Sequence, residues 1–184
     1  MIVFGAKLIS NTNIQKLGLD KKYHDFNVSF VKFTHEHKND QNVLMTSELW
    51  GLDSYSKYIS NNFRNLNCSN NIYGDEFFAI TTQKDNFENM NPDNILGLMQ
   101  TSKRRPDNYV EFIQTKPEFK FGETPRTFKN IGKALLNAFF TTLGTNKTIH
   151  LDTNHESAKF YKKLGFICIG NDPDIEEQSL YIKI

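Results

Sequence analysis

The sequence predicts a single α/β domain on a mixed, mostly antiparallel sheet. Three observations carry this: strand-like runs joined by Asn-, Asp- and Pro-rich linkers of hairpin type, two segments with apolar residues at helical spacing, and a strand–helix–strand succession long enough for a parallel crossover. At 184 residues, roughly 70% of the unfolded chain's surface can be buried, so the core needs no disulfide or metal staple. Sixteen Phe and seven Tyr can supply much of it.

In chain order, residues 1 to about 25 carry no pattern that decides between a further strand and an interface. Phe26 to Thr34, FNVSFVKFT, is rich in β-branched and aromatic residues and reads as a strand, and the polar stretch His35 to Asn42 reads as a loop. Leu52 to Leu66 reads as a helix, because Leu52, Tyr55, Ile59, Phe63 and Leu66 share one face and Asp53 or Ser54 can cap its start. Strands follow at Glu76 to Gln83, Asn94 to Ser102 and Asn108 to Thr115, as an antiparallel meander. A second helix is marked by Ile131, Ala134, Leu135, Ala138, Phe139 and Leu143, with Gly144 at its end. The chain closes with a strand at Thr148 to Thr153, a short helix at Glu156 to Leu164, and strands at Phe166 to Gly170 and Ser179 to Ile184. The succession from 108 to 153 makes a parallel pair inside the antiparallel sheet.

Charge and composition exclude several classes. Twenty-two basic and 21 acidic residues leave no electrostatic footprint for a phosphate backbone or an anionic membrane, so neither nucleic acid nor membrane is expected as a partner. No signal peptide or spanning segment is predicted, which points to the cytoplasm. Cys68 and Cys168 lie far apart with no CxxC partner and read as buried or inert thiols.

Two stretches carry chemistry. In the first, the strand YVEFIQTKPEF (Tyr109 to Phe119) leads through a polar loop to KNIGKALLNAFF (Lys129 to Phe140). A strand delivering a small-residue turn into a helix start makes an anion site, because the first N–H groups of the helix are free and its dipole favours negative charge. Gly132 permits close backbone approach, Asn130 tolerates the left-handed conformation, and Lys129 and Lys133 add charge at the rim. In the second, NHESAKFYKKLGF (Asn154 to Phe166), Asn154 is an N-cap and Tyr161 lies two turns on, near the same face. Each stretch alone also has a plain structural reading, as a helix-start glycine or as a cap with a core tyrosine.

In this order and spacing the two stretches resemble the GCN5-related N-acetyltransferase (GNAT) superfamily. That pattern is a strand y-I-[DE]-x-L-x-V-x-P, a loop [QR]-x-x-G-x-[GA], a helix near G-x-x-L-L, and N-x-x-[AS]-x-x-[FL]-Y-x-x-x-G-F. This chain gives Tyr109 to Pro117, then Gly132-Lys133-Ala134-Leu135-Leu136, then Asn154, Ser157, Phe160, Tyr161, Gly165 and Phe166. The match covers about 75–184 of one domain spanning 1–184. The loop departs from the pattern: Thr127 stands where Gln or Arg is usual, Asn130 replaces the first Gly, Arg126 sits one residue early, and Lys120 to Pro125 are extra.

The resemblance implies the GNAT fold with helices on both faces of the sheet, acetyl-CoA as acyl donor with no metal, and direct transfer to a primary amine of a small molecule or protein. It implies Glu111 as base and Tyr161 as acid to the leaving thiolate. The implied cofactor site comprises Ile113 and Thr115 on the strand edge, Phe128, Lys129, Asn130, Ile131, Gly132, Lys133 and Ala134 at the loop and helix start, and Asn154 with Tyr161 beyond. A monomer or homodimer fits. The rival reading is a GNAT-like acyl-CoA-binding module without turnover.

Other residues carry less. His35-Glu36-His37 has metal-ligand types but reads as a solvated loop. Lys103-Arg104-Arg105 reads as a charged turn, with contact to an acidic acceptor or the cofactor's 3′-phosphate as a minor reading. His150 and His155 read as structural.

Overall fold

The computed structural model describes residues 5–51, 55–66, 74–104, 107–119, 125–144, 147–171 and 178–183. Among the described residues nine strands form one sheet: β1 (Lys7–Leu17), β2 (Tyr23–Lys32), β3 (Glu76–Thr81), β4 (Ile95–Arg104), β5 (Asp107–Thr115), β6 (Phe128–Lys129), β7 (Ile149–Asn154), β8 (Ile167–Asn171) and β9 (Gln178–Lys183). Their order is β6-β1-β2-β3-β4-β5-β7-β9-β8. Every pairing is antiparallel except β5 with β7, the pair predicted to be parallel.

Four α-helices among the described residues cover the two faces: α1 (Lys38–Ser47), α2 (Tyr55–Asn65), α3 (Ile131–Leu143) and α4 (His155–Lys163). Strand alternation splits the core in two. Phe30, Ile80, Met99 and Ile149 pack with Leu135 and Phe139 of α3 and Tyr161 of α4. Their strand neighbours Val31, Ala79 and Leu98 pack with Val43 and Leu44 of α1 and Ile59 and Phe63 of α2. Central strands buried on both faces read as unbroken apolar runs, as in Phe77-Phe78-Ala79-Ile80.

The chain start is a strand. β1 pairs along its length with β2, and its far side takes the two-residue β6, Gln15 opposite Lys129 and Lys16 opposite Phe128. β2 begins at Tyr23, earlier than the alternation from Phe26 predicts, because the β1 hairpin extends it.

The predicted loop from His35 to Asn42 is corrected: α1 begins at Lys38. Its polar first turn hides the helix from hydrophobic periodicity, since Asp40 is fully buried. That carboxylate accepts the backbone N–H of Ala6 at 3.3 Å and of Thr34 at 2.7 Å, tying the chain start and the end of β2 to the helix. His35 and His37 are accordingly half-buried rather than fully solvated. His35 lies edge-on to the Phe63 ring at 5.3 Å, and His37 Nδ1 is 3.4 Å from Asp40.

Leu52, Asp53, Ser54, Cys68, Arg105 and the extra segment 120–124 lie outside the described residues. Lys103 and Arg104, read as part of a charged turn, instead end β4 opposite Asn108 and Asp107, and Lys103 pairs with Glu76 at 3.3 Å; His150 stacks on Tyr109 at 5.0 Å. Cys168 is exposed on β8 rather than buried.

Candidate active site

β5 and β7 separate where a bulge interrupts the sheet. Against β4, Gln100 faces Phe112 and Thr101 faces Val110, which leaves Glu111 as the extra residue. Pairing with β7 runs from Asn108 opposite Ile149 to Val110 opposite Leu151 and ends there. A bulge bends its strand and increases the local twist, so the two strands diverge from Glu111 onward. A cleft of about 1060 Å³ opens between them, bordered by residues 110–115, 151–154, the start of α3 and one side of α4.

The edge of β5 facing this cleft has a definite polarity. Lys116 donates its N–H to the carbonyl of Leu96 on β4 at 2.9 Å. Since backbone groups alternate sides along a strand, Ile113 and Thr115 turn theirs toward the cleft. Thr115's carbonyl already accepts the side-chain amide of Gln114 at 2.6 Å, while the oxygen of that amide accepts the N–H of Tyr55 at 3.2 Å. Gln114 thus links the cleft edge to the start of α2.

The start of α3 forms one wall. Asn130 adopts the left-handed conformation at φ 66°, the freedom its residue type offers, and its side chain makes no cap hydrogen bond. Ala134 donates to the Asn130 carbonyl at 2.9 Å, so the amides of Ile131, Gly132 and Lys133 precede the first helical bond and have no intrahelical acceptor. A Cβ at Gly132 would lie 3.3 Å from Phe160, so the glycine permits α4 to approach this turn closely. Arg126, Lys129, Lys133, Lys159 and Lys163 border the cleft, and the Lys129 ammonium sits over the Tyr23 ring at 3.5 Å. Phe128 and Ala134 turn their side chains into the core, so main-chain groups are what they present here.

Asn154 caps α4 by accepting the N–H of Ser157 at 3.0 Å, and it also borders the cleft. Tyr161 lies two turns on, 7% exposed, between the ring edges of Phe160 and Phe166. Burial, with the nearby Tyr55 hydroxyl adding to it, pushes its phenol up to about 12. At neutral pH the hydroxyl therefore holds its proton and can serve as a donor. Glu111 borders the cleft and accepts a hydrogen bond from the Ser102 hydroxyl. Proton acceptor and proton donor types thus meet one cleft from β5 and α4.

Sequence reasoning missed Ser102, Gln114, Tyr55 and Asp152, which joins the lining from β7. Their side chains reach the site through strand pairing and helix docking, which leave no local signal. Among the described residues, no group of three or more His, Cys, Asp or Glu side chains gathers as metal ligands.

The parallel pair that splays beneath two helix starts defines the GNAT acyltransferase fold, and solved structures of that class superpose on this chain. No protein-family model matches the sequence, and no curated protein matches it. A GNAT-family protein of Desulfovibrio desulfuricans superposes with a TM-score of 0.55 at 12% identity, over 85% of this chain and 98% of its own. The PaiA N-acetyltransferase of Thermoplasma acidophilum, solved with coenzyme A, gives 0.53 at 16% identity, over 86% and 99%. The ribosomal-protein-S18-alanine N-acetyltransferase of Escherichia coli gives 0.50 at 13% identity, over 84% and 90%. At these identities the shared property is the fold.

Proposed function

We propose that this chain is an acetyl-CoA-dependent N-acetyltransferase acting on a primary amine by direct transfer. The observation that carries the reading is the splay of β5 from β7 at Glu111, which brings an open strand edge, a helix start with free amides and a buried tyrosine to one cleft. The likeness in fold to a protein solved with coenzyme A supports it.

The residues present fit that cosubstrate. The amides of Ile131, Gly132 and Lys133 suit a pyrophosphate, with Arg126 and Lys133 beside them. The backbone of Ile113 suits the amide groups of a pantetheine arm, by strand addition to the β5 edge. Bound acetyl-CoA would supply the acyl group as a thioester, which an amine displaces to give an amide and a thiol.

The chain's own residues would manage two protons. A free alkylamine has a pKa near about 10, so its proton must go to a base, and the Glu111 carboxylate borders the cleft. The Tyr161 hydroxyl would give its proton to the departing sulfur, and its raised pKa keeps that proton in place until then. No enzyme nucleophile is required.

The test is a thermal shift with acetyl-CoA, followed by a thiol-release assay across amine classes. At a hundred times its dissociation constant the ligand should add about 2.7 kcal/mol of apparent stability. Absence of a shift with acetyl-CoA and CoA at millimolar concentration would refute the reading. Binding without thiol release from any amine would favour a binding module. Among the described residues no helix is long and apolar enough to cross a membrane.

A further inference from the structure

Beside Glu111 lies an aromatic surface outside the cofactor reading, of which Phe112 alone packs partly against the α2-side core. Phe112 follows the bulged residue, and in a bulge the two successive residues share a side, so both turn toward α2. There the Phe112 ring meets Tyr55 at 5.5 Å and stacks on Tyr58 at 5.7 Å with 15° between planes. Tyr55 and Tyr58 remain 48% and 58% exposed. Three touching rings, two of them half in water, form a contiguous patch of the kind that marks a binding surface.

The position of this patch ties it to the reaction cleft. Tyr55 borders the cleft and lies close enough to Tyr161 to act on its ionisation. Gln114 holds the backbone of Tyr55 against the β5 edge.

Two carboxylates stand on the patch's side of the cleft, whereas its cations Arg126, Lys129, Lys133, Lys159 and Lys163 come from the loop, β6, α3 and α4. On β7, Ile149 and Leu151 enter the α3-side core while His150 stacks on Tyr109, so Asp152, two residues from His150, turns to the same side as the rings. Glu111 and Asp152 thus border the cleft on this side. The cations of α2 do not offset them: Arg64 pairs with Glu48 at 2.9 Å, and Lys57, two residues from Tyr55, points away from the shared helix face.

We propose that Tyr55, Tyr58 and Phe112 form the acceptor subsite, and that the acceptor is a primary amine carried a few bonds from an aromatic ring. The inference rests on the N-acetyltransferase reading. Ring faces attract both a flat aromatic group and an ammonium, and two carboxylates add attraction for the amine as it arrives in its cationic form. A phosphorylated or carboxylated acceptor would be repelled by Glu111 and Asp152.

The experiment compares matched amines with acetyl-CoA in a thiol-release assay: 2-phenylethylamine, hexylamine, spermidine, and peptides beginning with Phe or Ala. The arylamine should exceed hexylamine in kcat/KM by about threefold to tenfold, the size of a stacking contact. Preference for the Phe peptide over the Ala peptide, with the free arylamine poor, would place the same ring chemistry on a protein terminus. The arylamine should also bind the CoA-loaded protein in calorimetry. Tyr58→Ala should raise KM for the arylamine about threefold to tenfold and bring the ratio to hexylamine near one, with the dissociation constant of CoA within twofold of the parent. Tyr58→Phe should keep the ratio. Because Tyr58 is exposed, both variants should melt near the parent temperature. Equal use of hexylamine or spermidine overturns the aromatic acceptor while leaving N-acetyl transfer standing. CoA binding with no thiol release from any amine overturns it in favour of a binding module. Failure of CoA binding refutes the function reading and this inference together.

Discussion

The side-chain amide of Asn130 donates to the side-chain oxygen of Gln15 at 3.2 Å, so the first strand of the chain holds the residue that starts α3. Two further bonds run the same way: Leu17 N–H to the Thr127 carbonyl and the Tyr23 hydroxyl to the Arg126 carbonyl, each at 2.8 Å. The β1–β2 hairpin therefore braces a loop in which Asn130 and Thr127 replace the residues usual in the GNAT pattern. A net hydrogen bond is worth about 0.5–1.5 kcal/mol. Tyr23→Phe keeps the ring beneath Lys129 and should weaken CoA binding about twofold to tenfold by calorimetry. Unchanged affinity would show that the loop holds its shape without the hairpin.

Gly132 leaves a side chain little room at the start of α3. A methyl group would stand 3.3 Å from Phe160, so Gly132→Ala requires a shift of a few tenths of an ångström, while Gly132→Val adds two branches at the free amides. The expected order of CoA affinity is parent, then Ala, then Val, with Val abolishing the thermal shift in a protein that still folds. A Val variant that binds like the parent would show that the anion site lies elsewhere.

Tyr161→Phe keeps the packing between Phe160 and Phe166 and removes the donor. Cofactor affinity should hold while kcat falls by about 10²-fold, the lower end of general acid catalysis, since water can substitute. Parent-like turnover would refute the role. The raised pKa also sets a stability window: the unfolded chain loses this proton near pH 10 and the folded chain near 12, so stability should fall with rising pH between those values. In Tyr161→Phe that contribution should vanish from the alkaline denaturation curve.

Glu111→Gln should lower kcat less than loss of the acid does, with a loss that shrinks as pH rises and more of the amine arrives already deprotonated. A pH-independent loss would point to positioning through Ser102 rather than proton removal.

Asp40→Ala should destabilise the fold by about 2 kcal/mol or more in urea titration, since the buried amides of Ala6 and Thr34 each lose their acceptor. Burial holds the Asp40 carboxyl above its ordinary value, so the folded state keeps this proton longer than the unfolded chain. Its contribution therefore favours folding at pH below the ordinary carboxylate value and is lost as pH rises through the raised one. Asp40→Asn should lack that acid-range slope.

The elements legible in the sequence are those that local chemistry dictates. The apolar stripe of α3, the left-handed Asn130 before it, the Asn154 cap and the alternation of β5 and β7 depend on neighbours a few residues away. That Glu111, Gly132 and Tyr161 border one cleft was legible only through the resemblance to the GNAT pattern, since no local chemistry joins residues so far apart in the chain. Tertiary structure decided the rest. β1 is a strand because β2 and the distant β6 flank it, with Gln15 and Asn130 115 residues apart. α1 escapes periodicity because its first turn is anchored by a buried carboxylate instead of apolar side chains. The bulge at Glu111, which opens the cleft and turns Phe112 toward Tyr55 and Tyr58, exists only in the register of β5 against β4, and register is a property of two paired strands that neither carries alone.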